Sequence, residues 1–203
     1  MSKEMRMHSA ENQRTCSWLG KALCRRYALV HFAEFNVLGM ENGMASHQRW
    51  SWAFALFAAD EFDILGAWPV GIARVQPIIE DLWSRGILSI RVVSIAKALD
   101  YAAPRSVESW ASALRGAEPR VLEVIGPQTV LGAAVEGVPS AAIRSTLGKA
   151  GKIHDSLVRG VRSRAPFASP VAASEFIAGW LQRADRRLYE VRRPARPALV
   201  VAA

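Results

Sequence analysis

The chain has 203 residues, 51% of them hydrophobic and 22% charged, which is enough apolar content to bury a core and too much for a disordered chain. Two cysteines, Cys16 and Cys24, exclude a disulfide scaffold and a four-cysteine zinc site. No apolar run approaches the roughly 20 residues of a spanning helix, and the first residues lack the apolar stretch of a secretory signal, so a cytoplasmic protein with no membrane partner is expected.

The net charge of +8 is one-sided: residues 1–140 hold 14 Lys/Arg against 14 Asp/Glu, whereas residues 141–203 hold 12 against 4. A segment so biased favours a polyanionic partner, nucleic acid first, with a solvated Arg-rich helix as the bland alternative.

In chain order, Ser9 is placed to cap a helix running to about Tyr27, so residues 1–27 read as an N-terminal helical unit. Residues 28–38 (ALVHFAEFNVL) read as a buried strand, interrupted by His31 and Glu34. Asn42-Gly43 is a strong hairpin signal, and residues 50–58 (WSWAFALFA) follow as a central strand. Asp60, Glu61 and Asp63 read as an acidic turn before a third strand at 64–68. Val75, Ile78, Ile79, Leu82 and Trp83 fall on one helical face, with Gly86 placed as a left-handed C-cap. Residues 87–93 then form a strand, and a strand–helix–strand run of this length implies parallel pairing.

Beyond Ser94 the strand signal fades: 105–114 reads as a helix and 119–125 is ambiguous. Residues 141–164 look helical in part, and Ser169-Pro170 opens a helix with Ala173, Ile177, Trp180, Leu181, Ala184 and Leu188 on one face. The expected architecture is α/β: three antiparallel strands plus a parallel strand within residues 28–100, a helical region over 101–190 that is basic from 141, and an extended tail over 191–203.

The order of three antiparallel strands, a crossover helix and a parallel strand resembles the start of a ribonuclease-H-like catalytic core. Locally, residues 53–68 (AFALFAADEFDILGAW) and the helix closing on Gly86-Ile87 resemble the mutator-type bacterial insertion-sequence transposases. That family has an Asp-containing turn, a hydrophobic-Leu-Gly-x-Trp segment and a helix ending Leu-x-x-Arg-Gly. The matching residues are Asp60, Ile64, Leu65, Gly66, Trp68, Leu82, Arg85 and Gly86, and the likeness covers residues 28–93. It implies acidic residues holding two magnesium ions for phosphodiester chemistry on DNA.

The chain departs from that pattern at the acids. The family's first Asp lies on the first core strand, where the nearest acid here is Glu34, beside Asn36. The second closes the parallel strand, where Ser94-Ile95-Ala96 stands and Asp100 comes a few residues later. A third acid has no counterpart. Glu34 and Asp100 are therefore the candidate catalytic residues, with Mg2+ as cofactor only if the protein is active, and no metal-ligand set is identified.

The expectation is a truncated or degenerate, inactive transposase-like protein that binds DNA, with a homo-oligomer left open. The nucleic-acid candidates are Lys149, Lys152, Arg159, Arg162, Arg164, Arg183, Arg186, Arg187, Arg192 and Arg193. The alternative is a non-enzymatic nucleic-acid-binding module, or an interaction module whose Trp180 helix packs on a partner.

Overall fold

A computed structural model describes residues 21–23, 25–58, 61–69, 76–95, 121–125 and 139–192. Its elements are β1 (Arg26–Glu41), β2 (Met44–Ala58), β3 (Glu61–Pro69), α1 (Gln76–Ser84), β4 (Ser89–Ile95), β5 (Val121–Ile125), α2 (Ser140–Arg164) and α3 (Pro170–Arg192). The strands form one sheet in the order β3-β2-β1-β4-β5. β1–β2 and β2–β3 are antiparallel, while β1–β4 and β4–β5 are parallel. The mixed α/β sheet and the helical C-terminal part agree with the sequence reading.

Three boundaries are corrected. Arg26 and Tyr27 belong to β1 and Lys21–Leu23 carries no helix, so the N-terminal helix does not reach Tyr27; its earlier part lies outside the described residues. Glu61 and Asp63 lie within β3 rather than in an acidic turn. Residues 121–125 form a fifth strand, so the sheet extends beyond residue 100 and the region after it is not wholly helical. The helix expected at 105–114 and the tail beyond Arg192 lie outside the described residues.

The β1–β2 hairpin turns at Asn42 (φ 53°) and Gly43 (φ 79°), as the two-residue signal requires. Side chains alternate across the sheet. Val30, Phe32, Ala53 and Ala55 point to the layer made by Ile78, Ile79 and Leu82 of α1. Leu29, Phe35, Trp52 and Phe54 point to the opposite layer, made by Ile143, Leu157 and Val161 of α2 and Ile177 and Leu181 of α3. The order is helix, sheet, helical hairpin.

The Leu-Gly-x-Trp segment is a β-bulge. Ala53 pairs with Gly66 but Phe54 pairs with Ile64, which leaves Leu65 as the extra residue; Gly66 takes φ 148°. The leftover Leu65 carbonyl accepts from Arg85 Nη1 at 2.8 Å. Arg85 Nε donates to the Lys21 carbonyl at 3.0 Å, and Nη1 also meets Asp81 Oδ2 at 3.1 Å. Asp81 in turn accepts from Trp68 Nε1 at 3.0 Å. The Leu-x-x-Arg-Gly ending therefore clamps the bulge. Gly86, at φ 91°, closes α1 as a Schellman cap: its N–H donates to Trp83, and Ile87 N–H reaches Leu82.

Two substitutions test this clamp. Arg85→Met keeps the volume but leaves buried carbonyls and Asp81 without their donor, and should cost about 3 kcal/mol in urea denaturation. Gly86→Ala forces a Cβ into the left-handed region and should cost about 1 kcal/mol in the same measurement.

Candidate functional site

The seam between β1 and β4 is where the family pattern would set its first two acids. His31 and Ser94 are register partners there, both buried, with His31 Nδ1 3.1 Å from Ser94 Oγ. Neither is an acid. Glu34 lies three residues further along β1, past the last β1–β4 pair at Phe32 and Ile95. Its carboxylate is buried and Arg49 Nη1 stands 3.7 Å from Oε2. Asp60 and Asp100 lie outside the described residues.

Magnesium takes several oxygen ligands with carboxylate charge. Among the described residues no group of three His, Cys, Asp or Glu is placed to hold a metal. Glu34 stands beside a guanidinium, which is poor company for a cation, and the described residues by themselves assemble no two-metal site.

The polar seam continues into α2. Trp52 Nε1 donates to His154 Nδ1 at 2.9 Å, which fixes that nitrogen as an acceptor and the ring as neutral. The two rings lie nearly parallel, 6.2 Å between centroids. Burial, with a smaller push from His154, pulls the His31 pKa down to about 4. Burial also lowers that of His154, against an opposing pull from Asp155. Two neutral histidines thus sit between sheet and helix.

Asp63 of β3 and Asp185 of α3 are engaged in a latch. Lys21 Nζ bridges Asp63 at 3.3 Å and Asp185 at 2.9 Å, and Tyr27 donates to Asp63 at 3.0 Å. Burial and the Asp63 carboxylate raise the Tyr27 pKa, so the hydroxyl stays a donor. This network ties the chain before β1 to β3 and α3, and gives Asp63 a structural task.

The basic helices form an antiparallel hairpin on the sheet. α2 ends as Ala165 turns extended (ψ 151°) before Pro166, and Ser169 caps α3 by accepting from Ala172 N–H at 3.1 Å. The joining loop is stapled to β1: Met40 N–H donates to the Phe167 carbonyl at 2.8 Å, and Phe167 N–H to Leu38 at 3.0 Å. Trp180 packs inside the hairpin, its Nε1 3.3 Å from where a Cβ on Gly160 would stand. That indole packs against α2 and stays partly exposed.

Lys149, Lys152, Arg159, Arg162, Arg164, Arg183, Arg186 and Arg187 are all exposed. Arg192 ends α3, and Arg193 lies outside the described residues. Helical periodicity sorts them. Lys152, Arg159 and Arg162 share the side of α2 opposite Ile143, Ala150, Leu157 and Val161. Arg144, missed in the sequence reading, joins them, and its spacing of eight residues from Lys152 was the available signal. Lys149 falls to the flank, its Nζ 5.7 Å from the Phe62 ring centroid. Arg164 falls in the last turn, where a cation complements the helix dipole. The structure thus gathers part of the predicted set on one face and leaves Glu34 and the His31–Ser94 pair in the interior.

No protein-family model and no curated protein matches this chain. Among the described residues no helix is long and apolar enough to cross a membrane.

The buried histidines make stability depend on pH. The folded-state pKa of His31, about 4, lies below its ordinary 6.5, so the unfolded chain binds more protons between those values. Stability is therefore full above pH ~6.5 and should fall as pH drops toward ~4, by up to about 3 kcal/mol from His31 alone. Urea midpoints at pH ~7.5 and ~5 measure it. The difference should shrink in His31→Leu, which cannot titrate.

Proposed function

We propose that the protein is a transposase-related DNA-binding protein that has lost strand-transfer chemistry. The observation that carries the DNA-binding part is the helical hairpin of α2 and α3, seated on the sheet with its basic side chains exposed. Cations held on a rigid hairpin supply phosphate contacts that give affinity without reading sequence.

The kinship is supported by the succession of three antiparallel strands, a helix and a parallel strand beside β1, which is what the resemblance implies of a ribonuclease-H-like core. It is supported also by the matched motif acting as one unit, in which bulge, Trp68, Arg85 and Gly86 hold one another. Loss of chemistry is supported by His31 and Ser94, rather than acids, standing at the β1–β4 seam. A neutral imidazole and a hydroxyl do not supply the negative charge that two cations need.

The test is a DNA-binding titration with the whole chain. Affinity for a duplex at about 50 mM salt that falls steeply by about 200 mM is expected, and absence of binding at the lower salt overturns the reading. In the same preparation supercoiled plasmid should remain intact with Mg2+ or Mn2+. Metal-dependent nicking that disappears in Glu34→Ala or Asp100→Ala would establish an active enzyme instead.

A further inference from the structure

We infer that the outer face of α2 is the surface that tracks the phosphate backbone of duplex DNA, an inference that rests on the DNA-binding reading above and narrows it to one helix. Arg144, Lys152, Arg159 and Arg162 run along this face, opposite the residues buried against the sheet. At 1.5 Å per residue they span about 27 Å, which matches roughly eight base pairs of duplex at 3.4 Å each. Gly148 and Gly151 lie between the first two cations, exposed, with nothing within 4 Å of a Cβ built on either. The face is low between its charges, so a phosphate backbone can approach the helix closely.

Charge decides between the two helices. α2 carries six Lys/Arg and one acid, whereas α3 carries four Arg and three acids. The single acid of α2, Asp155, sits in the stripe, one turn from both Lys152 and Arg159. It is exposed. Its carboxylate repels phosphate at the centre of the contact and holds affinity below what the four cations alone would give. The partner that fits is a regularly spaced polyanion, bound through charge and without sequence preference.

The experiment measures anisotropy of labelled duplexes of about 16 base pairs, in two unrelated sequences, against the full chain from about 50 to 200 mM salt. Lys152→Gln with Arg159→Gln should weaken both duplexes on the order of tenfold or more and reduce the salt slope by about 2. Asp155→Asn should tighten both several-fold. Arg183→Gln with Arg186→Gln on α3 should weaken binding less than the α2 pair. Circular dichroism checks that each variant folds, and Arg144→Gln with Arg162→Gln provides a second α2 pair should the first fail to fold.

If the α2 pairs bind as the unaltered chain does, or the α3 pair loses more, the α2 assignment falls while DNA binding stands. Tighter binding of the single strand than of the duplex, or an unmoved Asp155→Asn, overturns it too. An unaltered chain that binds neither duplex at the lowest salt overturns the DNA-binding reading itself.

Discussion

The Arg85 guanidinium is the point on which the architecture turns. Its side chain is 6% exposed, and it reaches a carbonyl before β1, the bulge carbonyl of β3, and Asp81 on its own helix. A buried cation is costly unless its donors are matched, and here Nε and Nη1 meet groups from three separate parts of the chain, while Nη2 has no partner among the described residues. α1 is thereby fixed over the sheet with Ile78, Ile79 and Leu82 inward, and the Schellman turn at Gly86 sends the chain into β4 beside β1. Without that anchorage the bulge would carry an unsatisfied carbonyl, and α1 would be tied to β3 only by the Trp68–Asp81 bond and apolar packing.

This constraint explains which parts of the fold were legible. The hairpin at Asn42-Gly43, the α1 face and the Gly86 cap depend on local chemistry, which sequence spacing exposes directly. Strand ends were less legible, because β1 and β2 pair along a ribbon that runs past β4, through residues such as Asn36 and Gln48 that carry no apolar alternation. Val121–Ile125 was ambiguous because only its pairing with β4, a non-local contact, makes it a strand. Glu61 and Asp63 resemble turn residues until Lys21, Arg25 and Tyr27 are seen to meet Asp63.

The candidate site was legible only by halves. Helical spacing finds exposed cations, but it does not say which side of α2 the sheet covers; Leu157 and Val161 decide that. The departure from the family's acids was visible in the sequence, yet the partnership of His31 with Ser94 required the β1–β4 register. Once that register is known, the seam has a physical logic of its own. A neutral imidazole and a hydroxyl avoid the repulsion that two carboxylates would suffer in this apolar interior, and make a hydrogen bond instead.

The edges of the molecule bear on how it meets other molecules. An open strand edge invites pairing with another chain, and β3 is one edge of this sheet. Here the Leu65 carbonyl is taken by Arg85, the Ile64 N–H points to Asp185 Oδ1 at 3.4 Å, and the bulge bends the strand. Beyond β4, the free side of β1 is likewise met by Phe167 at Leu38 and Met40. These stretches of β3 and β1 are engaged by groups of the same chain, while β5 forms the other edge of the sheet. Side-chain charge is the other feature the surface offers: four cations and one acid, Asp155, line the outer face of α2. Since α2 is packed through Leu157 and Val161 and stapled at the hairpin loop, the backbone that carries its cations is held in place. A phosphate backbone meeting them, as proposed above, would displace counterions without first having to order the helix.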